Sequence, residues 1–178
     1  MATDLVKSAG LIGLNATPKI PTYAGGPAGV GDLKHVDGFA TVIAASDTAS
    51  IYRILRVPSN AKVKSLRLEA EANGASTAWN IGLHYSDNPN DGTPLANLGL
   101  VIDADFFDTA LANTSAIQST ELCATDSPGY TINEREKPLW EAAGLTSDPG
   151  GFFDITMMPS TAVGTGTGRV RLACLYVS

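Results

Sequence analysis

Ala78-Trp79-Asn80-Ile81-Gly82-Leu83-His84-Tyr85 alternates without a slip. Trp79, Ile81, Leu83 and Tyr85 point one way, and Asn80, Gly82 and His84 the other. This two-residue period is that of an antiparallel strand with one face in a core and one in water. His84 then reads as an ordinary surface histidine. Two later runs repeat the period: Phe153, Ile155 and Met157 alternate with Asp154, Thr156 and Met158, and Val170, Leu172, Cys174 and Tyr176 share one face. The expected core contains Trp79, Ile81, Leu83, Phe153, Ile155, Val170, Leu172 and Cys174.

Working outward, runs rich in β-branched and aromatic residues at 38–45, 50–57 and 62–72 are bounded by turn chemistry and read as strands, either in one meander or split between two sheets. In 62–72 the polar positions shift from Lys62 and Lys64 to Arg67, Glu69 and Glu71, which predicts a bulge or a change of sheet near Ser65. Residues 86–94 are almost entirely Asp, Asn, Gly and Pro, a loop, followed by a short strand at 98–102. The apolar spacing of 106–112 behind Asp103 and Asp105 predicts a short helix capped by those carboxylates. A second is predicted at 137–143, with Pro138 in its first turn and Gly144 as its stop. Residues 164–168 read as a hairpin turn.

Many short strands and two brief helices predict an all-β fold, an antiparallel β-sandwich over residues 38–178. The jelly roll is the variant favoured by a strand at each chain end and long connections, with an immunoglobulin-like sandwich as the alternative. Residues 1–37 are so interrupted by Gly and Pro that an irregular arm without regular elements is expected. Yet Leu5, Leu11, Ile12, Leu14 and Ile20 are too apolar to leave in water, so the arm should lie against its own domain or a neighbour.

The 178 residues carry 12 Lys+Arg against 18 Asp+Glu, which argues against nucleic acid or an anionic membrane as partner. The absence of a basic flank before an apolar run at the start predicts a soluble chain made in a cytosol, where Cys123 and Cys174 are free core thiols. His35 and His84 have no metal-ligand neighbours at zinc spacing. In 87–92, Pro89 stands at a calcium-ligand position, and Leu98 stands where a bidentate Glu is needed. Asp103, Asp105 and Asp108 read as caps rather than a calcium site. There is no Gly-x-Ser-x-Gly elbow, and residues 164–168 lack the Lys and following helix of a phosphate loop. No catalytic, metal or cofactor residue is assigned, and the expectation is not an enzyme. Arg53, Arg56, Lys62, Lys64 and Arg67 crowd into fifteen positions, whereas the ten acidic residues from Glu69 to Glu134 are interrupted by no Lys or Arg. Such unlike surfaces would steer contact with a second copy or a repeating partner.

The segment Ile51-Tyr52-Arg53-Ile54-Leu55-Arg56-Val57-Pro58-Ser59-Asn60-Ala61-Lys62-Val63, then Leu66-Arg67-Leu68 and Trp79 to Tyr85, resembles small virion proteins of tailed bacteriophages. Val101 to Phe107, Lys137-Pro138-Leu139-Trp140-Glu141-Ala142-Ala143-Gly144-Leu145, Asp148-Pro149 and Phe153-Asp154-Ile155-Thr156 continue the resemblance to phage head structural proteins of the decoration or cement type. The resemblance implies a non-enzymatic protein in the virion, made in the host bacterial cytoplasm, that binds the major capsid protein and reinforces or decorates its lattice. It also implies a homo-oligomer, by analogy a trimer. Contact is expected through the arm residues and the five basic residues named above. The alternative is a carbohydrate-binding β-sandwich of a phage spike or fibre, which would need exposed aromatic rings on one face.

Overall fold

The computed structural model describes residues 33–74, 77–123, 130–164 and 166–178 in full, and residues 5–7 by their backbone. The described strands are β1 (Leu5–Lys7), β2 (Leu33–Thr41), β3 (Ile51–Pro58), β4 (Lys62–Ala70), β5 (Ala78–Tyr85), β6 (Val101–Ala112), β7 (Ile117–Glu121), β8 (Phe152–Pro159) and β9 (Arg169–Val177). They form one sheet in the order β1-β3-β8-β5-β6 and a second in the order β2-β9-β4-β7. The antiparallel pairs β2–β9, β3–β8, β4–β7 and β5–β6 are nested in sequence like one long hairpin, and that hairpin is wrapped so that β8 also meets β5 and β9 also meets β4. This is a jelly roll. β2, β3 and β4 are split between the sheets rather than joined in a meander.

The inner face of the five-stranded sheet follows from its register. Tyr52, Leu55 and Val57 of β3 stand opposite Met157, Ile155 and Phe153 of β8, and these oppose Ile81, Leu83 and Tyr85 of β5. Val170, Leu172 and Cys174 of β9 line up with Ala70, Leu68 and Leu66 of β4. All eight expected core residues are fully buried. Trp79 also meets Tyr52 edge to face at 5.5 Å, and Cys123 and Cys174 are free and buried. The phase slip near Ser65 is a bulge between Val63 and Ser65 in the β4–β9 register.

Several expectations are corrected. Residues 106–112 form no helix and belong to β6. Two steps along β5, from Ile81 to Leu83, correspond to five along β6, from Asp108 to Asp103. That long bulge makes Phe106 and Phe107 consecutive buried residues, both packed with tilted rings against Tyr130, and so mimics helical spacing. Asp103 and Asp105 therefore cap nothing. The second helix exists as α1 (Leu139–Ala142), with Pro138 at its N-cap and Gly144 at φ +75° after its end. Residues 160–168 do not close a hairpin, because β8 and β9 lie in different sheets. Regular structure also enters residues 1–37: β1 pairs in parallel with β3, and β2 begins at Leu33.

Gly82 is where the two central features of this sheet touch. A Cβ there would stand 2.3 Å from the backbone oxygen of Ala104 in the β6 bulge. Gly82→Ala should therefore destabilise the chain by about 1–3 kcal/mol or more, the usual cost of overpacking against an unyielding neighbour. Urea unfolding checks it.

Candidate functional site

The outer face of the five-stranded sheet carries a buried charge cluster, and a bulge builds it. Positions 53 and 56 are an odd number apart, so a regular strand would send their side chains to opposite faces. The β3–β8 register shifts between Arg53 and Leu55, which leaves Arg53 opposite Thr156 and Arg56 opposite Asp154 on one face. Asp154, fully buried, accepts from Arg53 Nη1 at 2.9 Å, Arg56 Nε at 2.6 Å and Arg56 Nη2 at 2.9 Å. Burial pushes the Asp154 carboxyl upward and the two guanidiniums oppose it. Hydrogen bonds from a guanidinium to a carboxyl group of this kind are short and among the stronger ones.

The remaining guanidinium donors fasten the 86–100 connection. Arg53 donates to the backbone oxygens of Tyr85 at 3.1 Å and Gly99 at 2.9 Å. Arg56 donates to Asp87 Oδ1 at 2.9 Å and lies 3.7 Å from Asp91. Beside them His84 shares a 3.0 Å hydrogen bond between its Nδ1 and Thr156 Oγ1. Burial, with Arg53 nearby, lowers the His84 imidazole to about 4, so it is neutral at pH 7.

The surface reading of His84 is thereby corrected, because its side chain is buried and bonded to Thr156 rather than in water. The basic patch is corrected too. Arg53 and Arg56 are buried and matched by carboxylates within the chain, while Lys62, Lys64 and Arg67 stand on β4 in the other sheet. There Lys64 pairs with Glu136 at 2.6 Å and Arg67 with Glu121 at 3.6 Å. Leu5 lies in β1. Leu11, Ile12, Leu14 and Ile20 fall outside the described residues. A carboxylate following Arg-x-x-Arg on a facing strand is the signal that could have revealed the cluster, and Asp154 on an apolar run carried it.

Two surface features complete the inventory. The 86–100 connection displays Leu95 and Leu100 to solvent, and Val101, the first residue of β6, is exposed beside them. A groove of about 410 Å³ is lined by Phe39, Glu69, Glu71, Ile117, Arg169 and Arg171. Its charges are largely matched internally, since Arg171 reaches Asp37 at 3.1 Å and Glu69 at 3.0 Å. Among the described residues no group of His, Cys, Asp and Glu is arranged to hold a metal ion, and no helix is long and apolar enough to cross a membrane.

No family model matches the chain, and no curated protein does. Solved structures do. The fold is similar to a chain in the capsid of Ralstonia phage GP4, with a TM-score of 0.61 at 15% identity, covering 98% of this chain and 97% of that one. A chain of the cyanophage Pam1 capsid asymmetric unit aligns at a TM-score of 0.45 and 17% identity, over 90% of this chain and 94% of that one. The shared fold rests on the first of these.

Replacing Asp154 by Asn removes the carboxylate that the two buried guanidiniums share, and should cost about 3–5 kcal/mol in chemical denaturation. For His84 the sign follows from its lowered folded value. The unfolded chain binds the proton first, so the contribution of His84 is complete above about pH 6.5 and is lost as pH falls toward 4. Stability of the parent chain should therefore fall more between pH 7 and 4.5 than that of His84→Asn. Parallel curves for the two chains would contradict this.

Proposed function

We propose that this chain is a non-enzymatic structural protein of a phage head that binds the capsid lattice and decorates or reinforces it. The observation that carries the reading is the likeness to a chain of the Ralstonia phage GP4 capsid, which runs nearly end to end in both chains. Of the groups most suited to chemistry, Arg53, Arg56 and Asp154 are bound in hydrogen bonds that hold a connection in place, and His84 is buried against Thr156 of the neighbouring strand. That use is architectural.

In this reading the partners are the major capsid protein and further copies of the chain, assembled as a trimer, and the location is the virion. Residues 1–37 act as an arm on the sandwich of residues 38–178, and Leu11, Ile12, Leu14 and Ile20 are its apolar anchors. Each anchor contributes about 1.5–3 kcal/mol if fully buried, and repetition across a lattice multiplies weak contacts. A carbohydrate-binding sandwich is less well supported. Trp79 is fully buried, and Phe39 is the aromatic among the described residues that ranks as exposed.

The test uses particles stripped of this protein. Purified chain added back should bind them and raise their melting temperature, while the Leu11→Asp/Ile12→Asp/Leu14→Asp variant should keep its own unfolding midpoint and lose most particle occupancy. Equal occupancy by the variant removes the arm from the attachment. Failure of the parent chain to bind, with binding on a glycan array, selects the other reading.

A further inference from the structure

The strand order places an unusual element at one edge. β3 would border the five-stranded sheet were it not for β1, whose Leu5, Val6 and Lys7 pair in parallel with Ile51, Tyr52 and Arg53. A bare strand edge offers a row of backbone donors and acceptors, and the addition of an extended segment is a common way to cover it. Only three of the eight residues of β3 are covered by β1. The pairing is brief, parallel and independent of any neighbouring hairpin.

The connection from β1 back to the sandwich is far longer than its path requires. Lys7 stands beside Arg53. Leu33 stands opposite Val177, which is also opposite Lys62, just beyond the end of β3. Lys7 and Leu33 are thus separated by the last five residues of β3, roughly 17 Å at about 3.4 Å each, and one crossing of about 10 Å between sheets. Residues 8–32 are available for that path. Fully extended they would reach about 85 Å, and as a Gly-rich coil they would average about 25–30 Å. The same length would let residues 5–7 reach the β3 edge of a second copy held within about 25–30 Å.

We propose that the β3 edge is a strand-exchange site, at which residues 5–7 of one copy pair with Ile51 to Arg53 of a second copy of this chain. This rests on the self-association in the reading above and names the surface that serves it. The pairing in exchange is identical to the pairing within one chain, so exchange sacrifices no hydrogen bond and links the copies. Once copies are held side by side, effective concentration decides between the two arrangements.

The experiment co-expresses two full-length forms with different tags, one carrying Leu5→Cys and the other Ile51→Cys, purifies through both tags in succession, and adds a short bismaleimide. Exchange yields a covalent species bearing both tags under denaturing conditions, absent from the unsubstituted chain, whose Cys123 and Cys174 are buried. The double variant Leu5→Cys/Ile51→Cys should then give a ladder of linked chains. Three results overturn the proposal: the tags fail to co-purify, the double variant links only within single chains, or neither form links at all. Particle binding measured on the same preparations is a separate readout, so exchange can fail while lattice binding holds, and the reverse.

Discussion

One extra residue in β3 governs the outer face of the five-stranded sheet. The register shift at Ile54 turns Arg53 and Arg56 to the same side, above Asp154 and Thr156. Without it one guanidinium would enter the apolar layer between the sheets. With it, a single carboxylate holds both arginines, and their outer donors hold Asp87, Tyr85 and Gly99. A buried ion cluster of this kind adds little net stability over a well-packed apolar substitute. Its effect here is specificity: it fixes where the 86–100 connection lies, and with it the exposed Leu95, Leu100 and Val101.

The same cluster marks the boundary of what could be read from the residues. Alternation located β5, β8 and β9 and their eight core residues, because inward positions of a sandwich are apolar whatever lies outside. Alternation also implies that the opposite positions meet water, and on β5 and β8 that inference failed. His84, Asp154 and Thr156 are polar and buried, and the two arginines over Asp154 are held by contacts distant in sequence. Arg53 and Arg56 looked like surface charge because their partners lie on the order of a hundred residues away. Local sequence carries no record of such pairings.

Bulges account for the opposite outcomes at β4 and β6. At Ser65 one polar position slipped by one residue in a long alternating run, and the slip was visible against the regular pattern on either side. In β6 the extra residues lie between Asp103 and Asp108, where no regular flank remains for comparison. The bulge brings Phe106 and Phe107 into the core together, and two adjacent apolar residues behind two aspartates carry the local signature of a capped helix. Physically, the long-range demand of Tyr130 for aromatic neighbours prevailed over local propensity.

Charge placement finally decides which kind of surface is left for attachment. Of the expected basic residues, Arg53 and Arg56 are matched within the chain by Asp154 and Asp87, Lys64 by Glu136 and Arg67 by Glu121; outside that group, Arg171 is matched by Asp37 and Glu69. Exposed pairs of this type contribute little and are screened by salt, so a partner gains little by competing for them. What the sandwich offers instead is apolar side chains and strand edges. On the far edge of the five-stranded sheet β6 is irregular and acidic, which discourages pairing. On one edge of the other sheet, opposite the β2 edge, β7 is short, and beyond it the carbonyl oxygens of Val63, Lys64 and Leu66 are met by the Tyr130 hydroxyl, the Arg135 guanidinium and the Leu122 amide. β3 differs from these two edges in its cover, which is three residues long, ends where the bulge at Ile54 begins, and belongs to the chain's own N-terminal segment. Attachment by backbone pairing and apolar burial, rather than by charge, is the mode these surfaces favour.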